Sequence, residues 1–259
     1  MTAVNLLMTD FEEFERSVAE SIDRHPIVCH NAYTRWFARG EATFDELRDF
    51  TVQFSVFSHL FIEAQLRKCL NAPDLQSYRA GKEILLNELG VVFTPAGSVE
   101  GGTFRFTAGH FEWLSQFARA LGLEWREIGK RRHGRPSTLA FCDALMSWYS
   151  AEDESTAAGA SYAIEHWAAA GFWKQLIAGL RVIKGNRLPE LPLGFWTWHD
   201  TLEESHASHT DHEMRDAFAK AGFSPQSFLR AGEAMLDGVA GFWDGLEAAR
   251  VGGQRMSTA

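Results

Sequence analysis

From Thr43 to Asn71 the apolar side chains Leu47, Phe50, Phe54, Phe57 and Phe61 recur every three or four residues. That spacing lines one stripe of an α-helix and matches no strand. A helix this long with an aromatic face has to bury that face against other packed elements, and the rest of the chain offers helices. One is expected from Asp10 to about Arg24. Another runs over 75–89, after Pro73-Asp74, and Gly90 stops it. Further helices are expected at 108–122, 136–150, 155–181, 193–221 and 224–250. Residues 90–107 are the exception: Gly90, Pro95, Gly97, Gly101 and Gly102 make a long loop or a short hairpin. No alternating strand pattern occurs elsewhere. The expectation is an all-α fold of seven or eight helices in a single domain, 1–259, with a core over about 8–250 and a frayed tail at 251–259.

Composition narrows the function classes. The chain has 46% hydrophobic and 13% aromatic residues, enough for one continuous core. With 25 basic against 34 acidic side chains the formal charge is −9, the wrong sign for a general nucleic-acid binder. The basic run Lys130-Arg131-Arg132-His133-Gly134-Arg135 reads as a solvated corner. Three cysteines, Cys29, Cys69 and Cys142, are too few for a disulfide framework. No basic-then-apolar leader opens the chain, and no stretch approaches ~18 apolar residues. A cytoplasmic, soluble protein without membrane contact is expected.

Phosphate-binding glycine loops, the Gly-x-Ser-x-Gly elbow, His-Glu-x-x-His and zinc-spaced Cys pairs are all absent. One segment does carry chemistry: Trp198-His199-Asp200-Thr201-Leu202-Glu203-Glu204-Ser205-His206-Ala207-Ser208-His209-Thr210-Asp211-His212. On a helix at about 100° per residue, Glu203 lies about 40° to one side of His199 and His206 about 20° to the other. The three stack on one face over two turns, with His209 at its edge and His212 and Asp200 off it. Two imidazoles and a carboxylate without cysteine suit iron, manganese or zinc. Only one Glu-x-x-His pair is present, so a two-metal site needs ligands from elsewhere. Carboxylates in apolar surroundings are Glu63, Glu88 and Glu165. His110 opens a helix after the glycine-rich segment, a place for a cap or a surface residue as much as a ligand.

This order and spacing resemble the haem-oxygenase-like di-metal oxidases and oxygenases, relatives of thiaminase II and of the protein that completes pyrroloquinoline quinone synthesis. That family shows a Glu at a helix end, a His soon after, a Glu in a later helix, then His-x-x-x-Asp/Glu-x-x-His. The matching positions are Glu88, His110, Glu165, His199, Glu203 and His206, with Glu63 as a possible further ligand. The resemblance covers about 43–220. It departs at Glu203, where Asp is commoner, and in the long insert between Glu88 and His110. Were the insert to shift the alignment, Glu100 or His133 would stand in for one of these two.

The resemblance implies a haem-oxygenase-like bundle holding two iron ions, with O₂ as co-substrate and a small amine, amino acid or fatty acid as substrate. Asp200, His209 and Thr210 would support the ligands. Phe54, Phe57, Phe61, Trp167, Phe172 and Trp196 would suit an apolar pocket. A homodimer is expected. Rivals are a metal-free enzyme of the thiaminase II type with Cys142 as nucleophile, a cofactor-free oxidase of the quinone-synthesis type, and a helical interaction protein.

Overall fold

The computed structural model describes the backbone of residues 10–93 and 104–257; the side chains of 92–93, 104–106, 202–210 and 254–257 lie outside that description. Helix α1 (Phe11–Val18) is capped by Asp10, whose carboxylate accepts from the Glu12 amide, and continues through a π-helical turn at Ala19–Asp23. The short helices α2 (Pro26–Cys29) and α3 (Ala32–Phe37) follow. Neither is long enough to show a period in sequence, which is why they were not foreseen. Helix α4 (Phe44–Leu70) realises the aromatic stripe. A capping box starts it: the Thr43 hydroxyl accepts from the Glu46 amide at 3.2 Å and Glu46 Oε2 accepts from the Thr43 amide at 2.8 Å.

Helix α5 (Leu75–Glu88) leads into strands β1 (Val91–Phe93) and β2 (Phe104–Phe106), and then α6 (His110–Ala120). The strands pair antiparallel with Val91 opposite Phe106 and Phe93 opposite Phe104. They are the only strands among the described residues, and this hairpin is an appendage to an all-helical core. Helices α7 (Pro136–Tyr149) and α8 (Glu154–Trp167) come next. The helix expected over 155–181 is broken: a π-helical turn at Ala168–Phe172 separates α8 from α9 (Trp173–Asn186). Gly171 there takes φ +98°, a backbone conformation that side chains with a Cβ rarely adopt. Helices α10 (Gly194–Phe218) and α11 (Pro225–Ser257) complete the bundle.

Helix α11 runs past 250 to Ser257, so its last turns are helical where fraying was expected. Gly252 and Gly253 weaken a helix by roughly 1 kcal/mol each without forbidding it, and the buried Trp243 and Leu246 anchor the turns before them. No helix among the described residues is long and apolar enough to cross a membrane. Helix α11 packs along α8 and α7, α4 packs on α7, and rings of α4, α10 and α11 meet in the core between them. Phe50 stacks on Trp196 at 5.5 Å, Phe54 packs on the same indole at 5.1 Å, and Phe50 and Trp243 stack at 6.4 Å. These rings are all buried, so part of the aromatic excess of the sequence is spent on this seam.

Candidate metal centre

Glu88 ends α5 and His110 begins α6, and the intervening chain leaves and returns to the same point. Gly90 stops α5 with φ +69°, and its carbonyl accepts from the Thr107 amide at 2.8 Å, closing the hairpin at its base. A Cβ on Gly90 would sit 2.5 Å from Thr107 O, and one on Gly109 would sit 2.8 Å from Glu88 O. Only glycine permits this approach, and the approach sets the two helix ends side by side. Glu88 Oε1 lies 3.0 Å from His110 Nδ1, with the two side chains only 12% and 5% exposed. The two are nevertheless not hydrogen-bonded: His110 Nδ1 is buried without a hydrogen-bond partner.

His199 reaches the same spot from α10. Its Nδ1 lies 2.6 Å from the carbonyl of Phe195, one turn back. A carbonyl only accepts, so Nδ1 carries the hydrogen and the neutral ring keeps its lone pair on Nε2. One ligand atom from each of Glu88, His110 and His199 lies within 4.8 Å of the others. Two ligands of one ion are at most about 4.2 Å apart with bonds of ~2.1 Å, so these three atoms would have to draw together slightly to share a metal. Glu165, buried on α8, lines the same cavity of about 60 Å³. Aromatic rings wall it: Trp173 stacks on His199 at 4.8 Å and Phe195 packs on it at 4.3 Å. Trp113 stacks on His110 at 5.5 Å.

The other expected site residues are distributed as follows. Glu203 and His206 follow His199 on α10, but their side chains, with those of His209 and Thr210, lie outside the described residues, as does Glu100. Asp200 is half-buried beside His199 and does not line the cavity. Glu63 sits elsewhere, its carboxylate 2.8 Å from Arg67 one turn on, with 44% of the side chain exposed. His133 is held away from the cavity, its ring hydrogen-bonded by Arg132 at 3.1 Å. Cys142 is fully buried on α7, and burial pushes its thiol up to about 12. Of the aromatics proposed for a pocket, Phe54, Phe57, Phe61 and Trp167 line the cavity, whereas Phe172 and Trp196 do not.

Trp113, Trp173 and Phe195 were not anticipated at the site. Two of them had a signal in the sequence: Phe195 is one turn before His199, and Trp113 one turn after His110. Trp173 had none, because it follows the break in α8–α9.

The donor set fits a non-haem metal. Two imidazoles and two carboxylates without thiolate are the ligands of iron, manganese or zinc. The buried, unbonded His110 nitrogen beside a carboxylate oxygen is the arrangement a cation would relieve.

The sequence matches no protein-family model and none of the curated proteins. Solved structures do resemble it. A domain of unknown function with a haem-oxygenase-like fold from Shewanella denitrificans superposes with TM-score 0.65 at 15% identity, over 95% of both chains. A TenA homologue from Pseudomonas syringae gives TM-score 0.65 at 10% identity, over 92% of both chains. A CADD-like protein of unknown function from Nostoc punctiforme gives 0.59 at 17% identity, over 91% of this chain and 97% of its own. At these identities the likeness is one of fold, and the chain folds as a haem-oxygenase-like helical bundle.

Proposed function

We propose that the protein is a non-haem di-iron oxidase or oxygenase that uses O₂ to oxidise a small organic metabolite. The observation that carries this reading is the convergence of Glu88, His110 and His199, from three different helices, on a cavity that Glu165 also lines. Glu203 and His206, one and two turns beyond His199, would complete a set of three carboxylates and three imidazoles. Three carboxylates offset most of the +4 charge of two ferrous ions, which makes a buried cluster tolerable. When bound, the iron pair would supply electrons to O₂ and direct its oxidising power at the substrate. The Phe195 carbonyl orients the His199 ring by accepting from Nδ1, and Trp167, Trp173 and Phe195 line the space around the ligands.

A thiol mechanism finds little support, because Cys142 is buried and its thiol stays protonated near neutral pH. The test is O₂ uptake by the iron-loaded protein with panels of amines, amino acids, fatty acids and uncharged aromatic molecules. Uptake that His199→Ala abolishes and Cys142→Ser preserves supports the proposal. Uptake or turnover without iron would overturn it.

A further inference from the structure

A cavity of about 60 Å³ holds ions and a few water-sized molecules, not an organic substrate. Directly outside it lies a second space of about 470 Å³, within the range of small-molecule sites, between the start of α10 and α6. Phe195 lines both spaces. Trp113 and Trp198 line the outer one and meet edge-to-face at 5.6 Å. Each described histidine of the metal centre is thus covered by a ring of this cleft: Trp113 on His110 and Phe195 on His199. Trp198 is 42% exposed, an indole surface left open to water beside the site.

The polar groups of the cleft define what it would accept. No charged side chain is among its described lining residues, so none of these pairs a carboxylate, a phosphate or an ammonium group. Gln116, Thr197 and Thr201 are its hydrogen-bonding groups. The Thr197 hydroxyl donates to Leu193 O at 3.2 Å, and that of Thr201 to Thr197 O at 3.1 Å. Both protons are taken up by the helix, which leaves the two hydroxyl oxygens only their acceptor lone pairs to offer.

We propose that this Trp113–Trp198 cleft binds the organic substrate, and that the substrate is an uncharged, flat aromatic molecule carrying an N–H or O–H donor. The indoles supply stacking surface and the threonine oxygens accept the donor. The purpose of the cleft rests on the oxidase reading; its occupancy does not, because binding needs no metal.

The experiment uses the metal-free full chain and fluorine NMR. The probes are 5-fluoroindole, its N-methyl derivative, which lacks the donor, and 4-fluorophenyltrimethylammonium. Expected are saturable binding of 5-fluoroindole, affinity about tenfold lower in Trp198→Ala and in Trp113→Ala, and weaker binding of both other probes. Trp125→Ala, which removes an indole 54% exposed outside the cleft, should change nothing. Circular dichroism of each variant identifies any that misfold, and Trp198→Phe then replaces Trp198→Ala. No saturable binding, equal affinity in the Trp198 variants, or preference for the cation would overturn the proposal. Iron uptake measured on the same preparations separates the two readings: binding lost with iron retained sinks the cleft alone, and the reverse sinks the oxidase alone.

Discussion

Glu88 Oε1 and His110 Nδ1 lie 3.0 Å apart, although strands β1 and β2 both fall between them in sequence. The β1–β2 pair closes at Gly90 and Thr107, where the Thr107 amide donates to the Gly90 carbonyl beside the ends of α5 and α6. If this base is what places the pair, enlarging the hairpin beyond Phe93 should be harmless and crowding its base should not. Gly90→Ala is expected to lower metal occupancy and to cost at least ~1 kcal/mol in stability. Inserting several glycines between residues 97 and 98 is expected to alter neither. Denaturant unfolding and metal analysis of the two variants check this.

Cys142 should be inert in the folded protein. Its thiol ionises only at about 12, chiefly because of burial, against an ordinary value of 9.0. Among the three free cysteines only Cys29 is exposed, so a thiol reagent should modify one group quickly and the others only on unfolding. The folded state holds the Cys142 proton where the unfolded state releases it. Its contribution to stability is therefore complete below about 9 and is lost as pH rises toward about 12. The slope of stability with pH in that window should flatten in Cys142→Ala.

His166 lies between three elements, away from the cavity of Glu88, His110 and His199. Its Nδ1 lies 3.6 Å from Asp23 of the first π-helical turn, and its Nε2 lies 3.2 Å from Asp211 of α10. Tyr162 stacks on its ring at 3.8 Å. Burial and the nearby Asp211 both raise the Asp23 carboxyl, and His166 opposes them. His166→Ala leaves Asp23 and Asp211 facing each other without the imidazole between them. A loss of about 1–2 kcal/mol is expected, discounted because all three groups are partly exposed. Asp23→Asn in the same background should recover part of it, which urea titration of the single and double variants would read.

The aromatic seam sets both stability and the wall of the cavity. Phe54 is 1% exposed, packs on Trp196 and Trp173, and lines the cavity of Glu88, His110 and His199. Phe54→Ala should cost about 3–5 kcal/mol. Phe54→Leu should cost less and keep metal occupancy, because it retains most of the volume.

Much of this arrangement was legible in the sequence where a single element carries the signal. The period of α4 gave a helix that matches 43–71 within a residue at each end, because Thr43 and Glu46 form the cap that starts it. His199 could be singled out because its neighbours sit on one helix face. Contacts between elements were not legible. Nothing local separates Glu88, at the cavity, from Glu63, which pairs with Arg67 one turn along its own helix. The basic run shows the same limit. Arg131 and Arg135 are engaged by Asp143 and Asp49 in two-point ion pairs, which composition alone read as a solvated corner. The break at Gly171 was missed because the apolar period continues through it, while only the φ of one glycine changes.

The central claim is that these ligands hold a pair of iron ions. Anaerobic titration of the metal-free protein with Fe(II), followed by desalting and metal counting, tests it most directly. The wild-type chain should retain about two equivalents, with at most one in His110→Ala and in His199→Ala. Retention of no iron by a folded wild-type chain, or equal retention by the folded variants, would contradict the account.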